Sequence, residues 1–271
     1  MKTAVIVTTY NRPDALALAL DGYLAQKNKD FELVVADDGS TKETADLINF
    51  YKKKSVINII HVWQEDNGFR AAKIRNKAIA QTSADYIIFS DGDCIPLPDF
   101  ISQHKYLAEK NWFVSGSRVL LSPQFTIEIL NRKTPVHSWK LRDWFAARLR
   151  NDINRILPFL SLPINKFFRK LWLANSWHGV MTCNMAVWRE DLININGFDE
   201  EYTGWGLEDS DLTIRLLHAN IKRKSARFLS PVLHLWHREN DRGNLTENRK
   251  HLNDLINSKR AFAILGIDQY L

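Results

Sequence analysis

Asp85-Tyr86-Ile87-Ile88-Phe89-Ser90-Asp91-Gly92-Asp93-Cys94 decides how this 271-residue chain is read. Tyr86 to Phe89 is a short apolar run of β-branched and aromatic residues, and its length favours a buried strand over a helix. Two carboxylates then sit either side of a glycine. Anions at the end of a buried strand are costly unless a cation meets them. A divalent metal carrying phosphates is one such cation; an ordinary polar Asp-Gly turn is the plainer alternative.

Upstream of that stretch the pattern repeats. Ala4 to Val7 reads as a strand, Thr8 to Pro13 as a loop, and Asp14 to Leu24 as a helix with Leu16, Leu20, Tyr23 and Leu24 on one face. Phe31 to Ala36 is a second strand, Thr41 to Tyr51 a helix, Ile57 to Val62 a third strand and Ala71 to Ala80 a helix. This β-α-β-α-β-α-β order predicts an α/β fold, a mainly parallel central sheet flanked by helices. Ligands of such sheets bind beyond the carboxyl ends of the strands. Those ends carry Thr9 to Arg12, Asp37-Asp38, Asn67 to Arg70 and Asp91 to Asp93. Strand-end loops are generally polar, but that does not account for four carboxylates at two strand ends beside two arginines.

Val-Thr-Thr-Tyr-Asn-Arg, Val-Ala-Asp-Asp-Gly-Ser, Asp-Asn-Gly-Phe-Arg-Ala-Ala-Lys-Ile-Arg-Asn and Ser-Asp-Gly-Asp, in this order and spacing, resemble the nucleotide-sugar-binding half of a family 2 glycosyltransferase of the GT-A fold. The resemblance covers residues 1 to about 117 and resumes near Trp177. It implies that Thr9, Tyr10 and Arg12 line the nucleoside, that Asp37 accepts from the uracil imide, that Asp91 reaches the ribose or donor sugar, and that Asp93 ligates the metal. Arg70, Lys73 and Arg75 offer cations near the diphosphate; for Lys73 and Arg75, solvated positions on an amphipathic helix are the alternative.

Gly204-Trp205-Gly206-Leu207-Glu208-Asp209-Ser210-Asp211-Leu212, preceded by Asn196-Gly197-Phe198-Asp199-Glu200-Glu201-Tyr202, resembles the Trp-Gly-x-Glu-Asp region of β-galactosyltransferases, N-acetylgalactosaminyltransferases and bacterial chondroitin-type polymerases. The glycines free the loop to present Trp205 as a flat platform for donor and acceptor sugars. The acids open a helix, where the dipole favours them. By the resemblance Asp209 is the base that takes the acceptor hydroxyl proton, Glu208 holds the acceptor, and Asp211 supports the loop. Pro231 to Arg238 then supplies imidazoles: the family closes its metal site with a histidine, which His237 fits, and related galactosyltransferases add a weaker ligand where His234 stands. On a regular strand residues three apart face opposite sides, so His234 joins only if the segment turns. The donor set suits Mn2+ or Mg2+, with imidazole tilting toward manganese.

Between Arg118 and Trp172 eleven Lys/Arg stand against three Asp/Glu, a local +8 within a formal +6 for the chain. Leu141, Trp144, Phe145, Leu149, Ile153, Ile156 and Leu157 recur at helical spacing among arginines. Pro158 and Pro163 bound a second segment with Phe167, Phe168, Leu171 and Trp172 against Lys166, Arg169 and Lys170. Two readings stay open: a basic amphipathic element that meets an anionic membrane surface, or a helical insertion packing its stripe on the domain.

The whole is read as one GT-A domain over 1–271: donor half 1–117, basic helical insertion 118–175, acceptor half 176–240, then a polar loop over Arg238 to Asn248, expected to be mobile, and a terminal helix over Leu252 to Ile264. The expected activity is metal-dependent, inverting transfer of a hexose or N-acetylhexosamine from a UDP-sugar to a glycan or lipid-linked saccharide in surface polysaccharide or lipopolysaccharide biosynthesis. A nucleotidyltransferase of similar fold is the alternative, although Thr8 to Pro13 lacks its glycine-rich loop, as is a non-catalytic glycan- or membrane-binding module. Charge distribution gives no nucleic-acid signature. The amino terminus has no signal-peptide pattern, no apolar run reaches the roughly 20 residues of a membrane span, and two cysteines make no disulfide framework. The expected location is the cytoplasm, including the inner face of its membrane.

Overall fold

A computed structural model describes residues 1–162, 164–229, 231–238 and 241–271. Pro163, expected to bound the second basic segment, and Glu239 and Asn240 of the polar loop lie outside the described residues.

The first half alternates as expected: β1 Thr3–Thr9, α1 Pro13–Leu24, β2 Glu32–Asp37, α2 Lys42–Lys54, β3 Ile59–Trp63, α3 Ala71–Ala80 and β4 Tyr86–Asp91. Pro13 opens α1, where its missing N–H costs nothing. Then come β5 Cys94–Pro96, α4 Phe100–Leu107, β6 Trp112–Ser115, β7 Arg118–Leu120, α5 Pro123–Arg132, α6 Leu141–Leu149, α7 Lys166–Leu171, β8 Met185–Trp188, α8 Arg189–Asn194, α9 Glu208–His218, β9 Lys222–Ser225, β10 Val232–His234 and α10 Leu245–Asn257.

Seven strands form one sheet in the order β3-β2-β1-β4-β8-β6-β9, and β5-β10-β7 form a second. All pairs in the large sheet are parallel except those of β8, which runs against β4 and β6. Strands from both halves of the sequence therefore share one sheet. Their carboxyl ends line up: Thr9 pairs with Asp37, Asp37 with Trp63, Thr8 with Asp91 and Ser115 with Ser225. Alternate residues feed two cores. Val5, Val7, Tyr86 and Ile88 pack with α1, α2 and α4; Ala4, Ile6, Ile87 and Phe89 pack with α3, α8 and α9.

The basic insertion departs from the expected long amphipathic helix. α6 stops at Leu149, Asn151 takes a left-handed φ of 62°, and Ile153 bridges Leu121 instead of continuing the helix. Trp144 and Ile153 join Phe125, Ile129 and α1 in a third core, whereas Leu141, Phe145 and Leu149 face outward. Internal packing thus accounts for α5, Trp144 and Ile153, but not for Leu141, Phe145 and Leu149 of α6. Arg169, counted among the surface cations, is buried, donating to the carbonyls of Leu162, Ile164, Ser225 and Arg227.

Two other segments differ. Ser176 to Trp188 reads by its residues as a strand leading into Arg189-Glu190-Asp191, but only Met185–Trp188 pairs; a single 3-10 turn, Thr182–Asn184, precedes it. The terminal helix starts at Leu245 and ends at Asn257, so the end of the supposed mobile loop is helical. Asn244 and Asn248 fasten it by donating to Thr203 O, and Asn248 also donates to Gly206 O.

Candidate active site

Pairing across the sheets assembles the site. β4 delivers Asp91 beside Thr8 of β1. Gly92 donates to Thr8 O at 2.7 Å, and a Cβ built there would lie 2.9 Å from Thr9 Oγ1. This close approach is why a glycine separates the two aspartates. β5 then pairs antiparallel with β10, placing His234 opposite Cys94, while Leu235 N donates to Asp93 O.

Strand β10 ends at His234, and both imidazoles reach the same carboxylate. Asp93 Oδ2 lies 3.4 Å from His237 Nε2 and 3.8 Å from His234 Nε2. The strand objection to His234 fails because the strand ends there. Asp93 Oδ1 is buried without a hydrogen-bond partner among the described residues, an orphan acceptor of the kind a cation would satisfy. One carboxylate and two imidazoles fit Mn2+ well and Mg2+ less so. Cys94 also lies within 4.8 Å of the Asp93 and His234 donor atoms, but burial, followed by interaction with Cys183, pushes its thiol well up and keeps it neutral.

Across from this trio stands the acidic start of α9. Gly206 at φ 108° and Leu207 at φ 78° turn the chain abruptly into the helix, so Glu208 and Asp209 open its first turn. Asp209 accepts from Thr182 N at 3.0 Å and from Thr182 Oγ1 at 2.7 Å, one bond to each carboxylate oxygen. Asp211 and Arg215 are both buried; Arg215 Nε donates to Asp211 at 2.6 Å and Nη1 to the carbonyls of Ile195 and Gly197. Asp211 thus holds Arg215 against the turn at Ile195 and Gly197 and not against the 204–207 loop it was expected to support. Asn76 of α3 closes the same turn, donating to Phe198 O and accepting from Phe198 N.

Arg75 joins the two sides. Its buried guanidinium lies 3.3 Å from Asp91 Oδ1, 3.3 Å from Glu208 Oε1 and 3.4 Å from Asp209 Oδ1, and Nε donates to Thr8 Oγ1 at 3.1 Å. Burial alone lowers its pKa, but Asp209, Asp91 and Glu208 together raise it, so the charge is secure. Burial, then the charge of Asp209, pushes Glu208 up to about 7 against the pull of Arg75. Burial is also the main cause that pushes Asp91 up to about 6; Arg75 opposes it, and Asp93 and Asp209 add to it.

The remaining expected residues lie around this centre. Thr9 is buried under Gly92. Tyr10 is about half exposed, its hydroxyl donating to Asp66 at 2.8 Å. Arg12 is turned to Asp14, 2.9 Å away. Asp37 is fully buried: Oδ1 accepts from Ser40 N and Oδ2 faces His61 Nε2 at 2.9 Å, so both oxygens already have partners within the protein. Arg70 donates from its side chain to Glu65 O and from its backbone N to Asp38. Lys73 is half-buried on α3 and makes no ion pair with the site carboxylates among the described residues. Trp205 is 36% exposed, with the Arg242 guanidinium 5.1 Å from its ring centroid.

Sequence reasoning missed Thr182 altogether and left Arg75 as a choice between a diphosphate cation and a solvated surface charge. Neither spacing nor residue type marks Thr182, because its role depends on a contact 27 residues away. For Arg75 a signal existed: it lies on the buried face of α3, between Ile74 and Asn76 and three residues after Ala72.

Comparison with known proteins agrees with this architecture. The sequence profile of "Glycosyl transferase family 2" matches residues 4–195, and that of the "N-terminal domain of galactosyltransferase" matches residues 163–238. A validoxylamine A glucosyltransferase of Streptomyces hygroscopicus subsp. limoneus is 30% identical over 224 residues, covering 80% of this chain and 48% of the relative. A hyaluronan synthase of Pasteurella multocida is 30% identical (79% and 22%), and a chondroitin synthase of Escherichia coli 26% identical (79% and 32%). The chain thus spans about half or less of the length of these curated relatives. Among solved structures, Staphylococcus aureus TarS 1–349 in complex with UDP superposes with a TM-score of 0.63 at 18% identity, covering 100% of this chain and 68% of that one. The mannosyltransferase PcManGT of Pyrobaculum calidifontis, in complex with GDP-Man and Mn2+, gives 0.61 at 20% identity (94% and 64%). These structures share the GT-A-like fold.

Proposed function

Because this chain belongs to glycosyl transferase family 2, we propose that it is a metal-dependent, inverting glycosyltransferase moving a hexose or N-acetylhexosamine from a UDP-sugar to a glycan acceptor in surface polysaccharide or lipopolysaccharide biosynthesis. One observation carries the reading: Asp91, two residues before Asp93 of the carboxylate-imidazole trio, and Asp209, oriented by Thr182, meet the same buried guanidinium of Arg75. The relatives' names support sugar transfer, and the neighbours solved with UDP, UDP-GlcNAc or GDP-Man and Mn2+ support a nucleotide-sugar donor and a metal.

In this reading Asp209 takes the proton of the acceptor hydroxyl as that oxygen attacks the anomeric carbon. Thr182 fixes the carboxylate's direction, and Arg75 sets its charge environment. Glu208, protonated in part near neutrality, holds an acceptor hydroxyl, and Trp205 offers the sugar a flat apolar face. Asp91 meets the donor sugar or ribose. Thr9, Tyr10 and Arg12 line the nucleoside, with Asp37 beneath them, and Arg70 and Lys73 add positive charge on the diphosphate side. Asp93, His237 and His234 would hold Mn2+ or Mg2+, whose charge stabilises the departing diphosphate.

No helix among the described residues is long and apolar enough to cross a membrane. The proposed workplace is the cytoplasm, where a lipid-linked acceptor is presented at the inner membrane face. The test is a UDP-release screen of UDP-glucose, UDP-galactose and their N-acetyl forms with manganese. Release above the hydrolysis background with one donor supports the reading; none with any donor or acceptor sinks it.

A further inference from the structure

α7 and its flanks present an apolar surface that the fold does not cover. Phe167 and Phe168 are each 62% exposed, and Leu171 and Trp172, the next apolar residues of the same segment, are exposed as well. Single exposed hydrophobics are ordinary, but four within six residues are not.

Among the described residues the charge around them is mainly positive. Between Asp152 and Glu190 the sequence contains no acidic residue. Lys166 lies 4.0 Å over the Tyr106 ring, and the Arg227 guanidinium 4.7 Å over Trp172. The acid close by, Glu109, is already taken up by Lys170 and Lys224.

The position of α7 is set by Arg169. Its guanidinium donates to Ser225 O and Arg227 O, which anchors α7 at the carboxyl end of β9. That is the sheet edge on which β4 delivers Asp91, three strand positions away, or about 14 Å at the usual strand spacing. From α7 the chain runs directly to Thr182, which orients Asp209.

We propose that the α7 face, with Phe167, Phe168 and Leu171 as apolar anchors and Lys166 and Arg227 as cationic flanks, docks this protein on an anionic lipid bilayer. The rings and Leu171 enter the headgroup boundary while the cations meet lipid phosphates, the division of labour of an interfacial element. Lipid docking goes beyond the proposed sugar transfer and stands on a separate surface. Its consequence for that activity is that the site's sheet edge is held close to lipid, where a lipid-linked saccharide would be presented.

The experiment is flotation of the 271-residue chain with vesicles of phosphatidylcholine alone and of phosphatidylcholine mixed with phosphatidylglycerol. The expected result is binding to the anionic vesicles only, weakened by salt. The double variant Phe167→Ser/Phe168→Ser should lose on the order of tenfold or more in partitioning, with an unchanged Tm because both rings are solvent-facing. Lys166→Glu should weaken binding at low salt. Three outcomes overturn the proposal: no flotation of the wild type at low salt, equal flotation of the double variant, or a wild-type dimer that the double variant breaks, which makes a second copy the occupant. Flotation needs no donor, and the UDP-release screen needs no vesicle, so failure of either reading leaves the other standing.

Discussion

Arg75 Nη1 lies 3.4 Å from Asp209 Oδ1, although 134 residues separate them. The same guanidinium meets Asp91, so one cation from the first half of the chain ties the strand-end aspartate to the acid that opens α9. A buried charge left without its partners is costly, and here three carboxylates depend on one arginine.

Replacing Arg75 by alanine should therefore destabilise the protein by about 3–5 kcal/mol, the range for breaking a buried ion pair. Arg75→Lys should recover part of that loss, since it keeps the charge without the fork. Thermal unfolding of the three proteins measures it; a Tm for Arg75→Ala equal to that of the wild type would contradict the clamp.

Asp209→Asn should leave UDP affinity near wild type yet reduce transfer by roughly 100-fold or more, the loss expected when a general base is removed. Calorimetry with UDP and initial rates of UDP release separate the two effects. Retained turnover would remove Asp209 from the role of base.

Thr182→Val removes the 2.7 Å hydroxyl bond to Asp209 while keeping volume. A hydrogen bond to a charged group is worth about 1.5–3 kcal/mol, so kcat should fall by on the order of tenfold or more with KM little changed. Equal falls in kcat and thermal stability in step with each other would point to a purely structural role.

Asp93→Ala should abolish the manganese dependence of UDP binding, and His237→Ala should weaken manganese binding by at least roughly tenfold. Titrating UDP with and without manganese checks both. An affinity for UDP that stays metal-dependent in Asp93→Ala assigns the ion elsewhere.

Glu208 gives a pH prediction with a definite sign. Its carboxyl is raised from 4.5 to about 7, chiefly by burial and then by Asp209. Between those values the folded protein keeps a proton that the unfolded chain has released, so this group makes stability fall as pH rises. Glu208→Gln should flatten that part of the curve in denaturant unfolding at pH 5, 6 and 7.5. A slope equal to that of the wild type would show that the residue ionises as readily folded as unfolded.

Most of the large sheet was legible in the sequence, because strands buried on both faces read as unbroken apolar runs and amphipathic helices separate them: α3 was expected over Ala71 to Ala80 and is found there. The insertion was less legible. Helical spacing from Leu141 to Leu157 ran through Asn151, where a left-handed residue ends the pattern so that Ile153 can pair with Leu121. Periodicity cannot register a strand partner 32 residues away. Of the site, the Asp-Gly-Asp could be picked out because paired anions are costly at the end of a buried strand, whereas the Glu-Asp pair and both histidines were marked by their resemblance to family motifs.

By itself the sequence determined which segments become buried strands and which helices cover them, since the spacing of apolar residues is a local property. It also marked the strand ends where charge accumulates. Tertiary structure alone decided that His234 and Asp93 meet, because antiparallel pairing of β10 with β5 brings them together. It alone turned Arg75 from a helix cation into a clamp on three carboxylates and gave Thr182 its place against Asp209. These contacts span from 16 to about 140 residues, and low-dielectric burial, which gives them their strength, exists only once the whole sheet has closed.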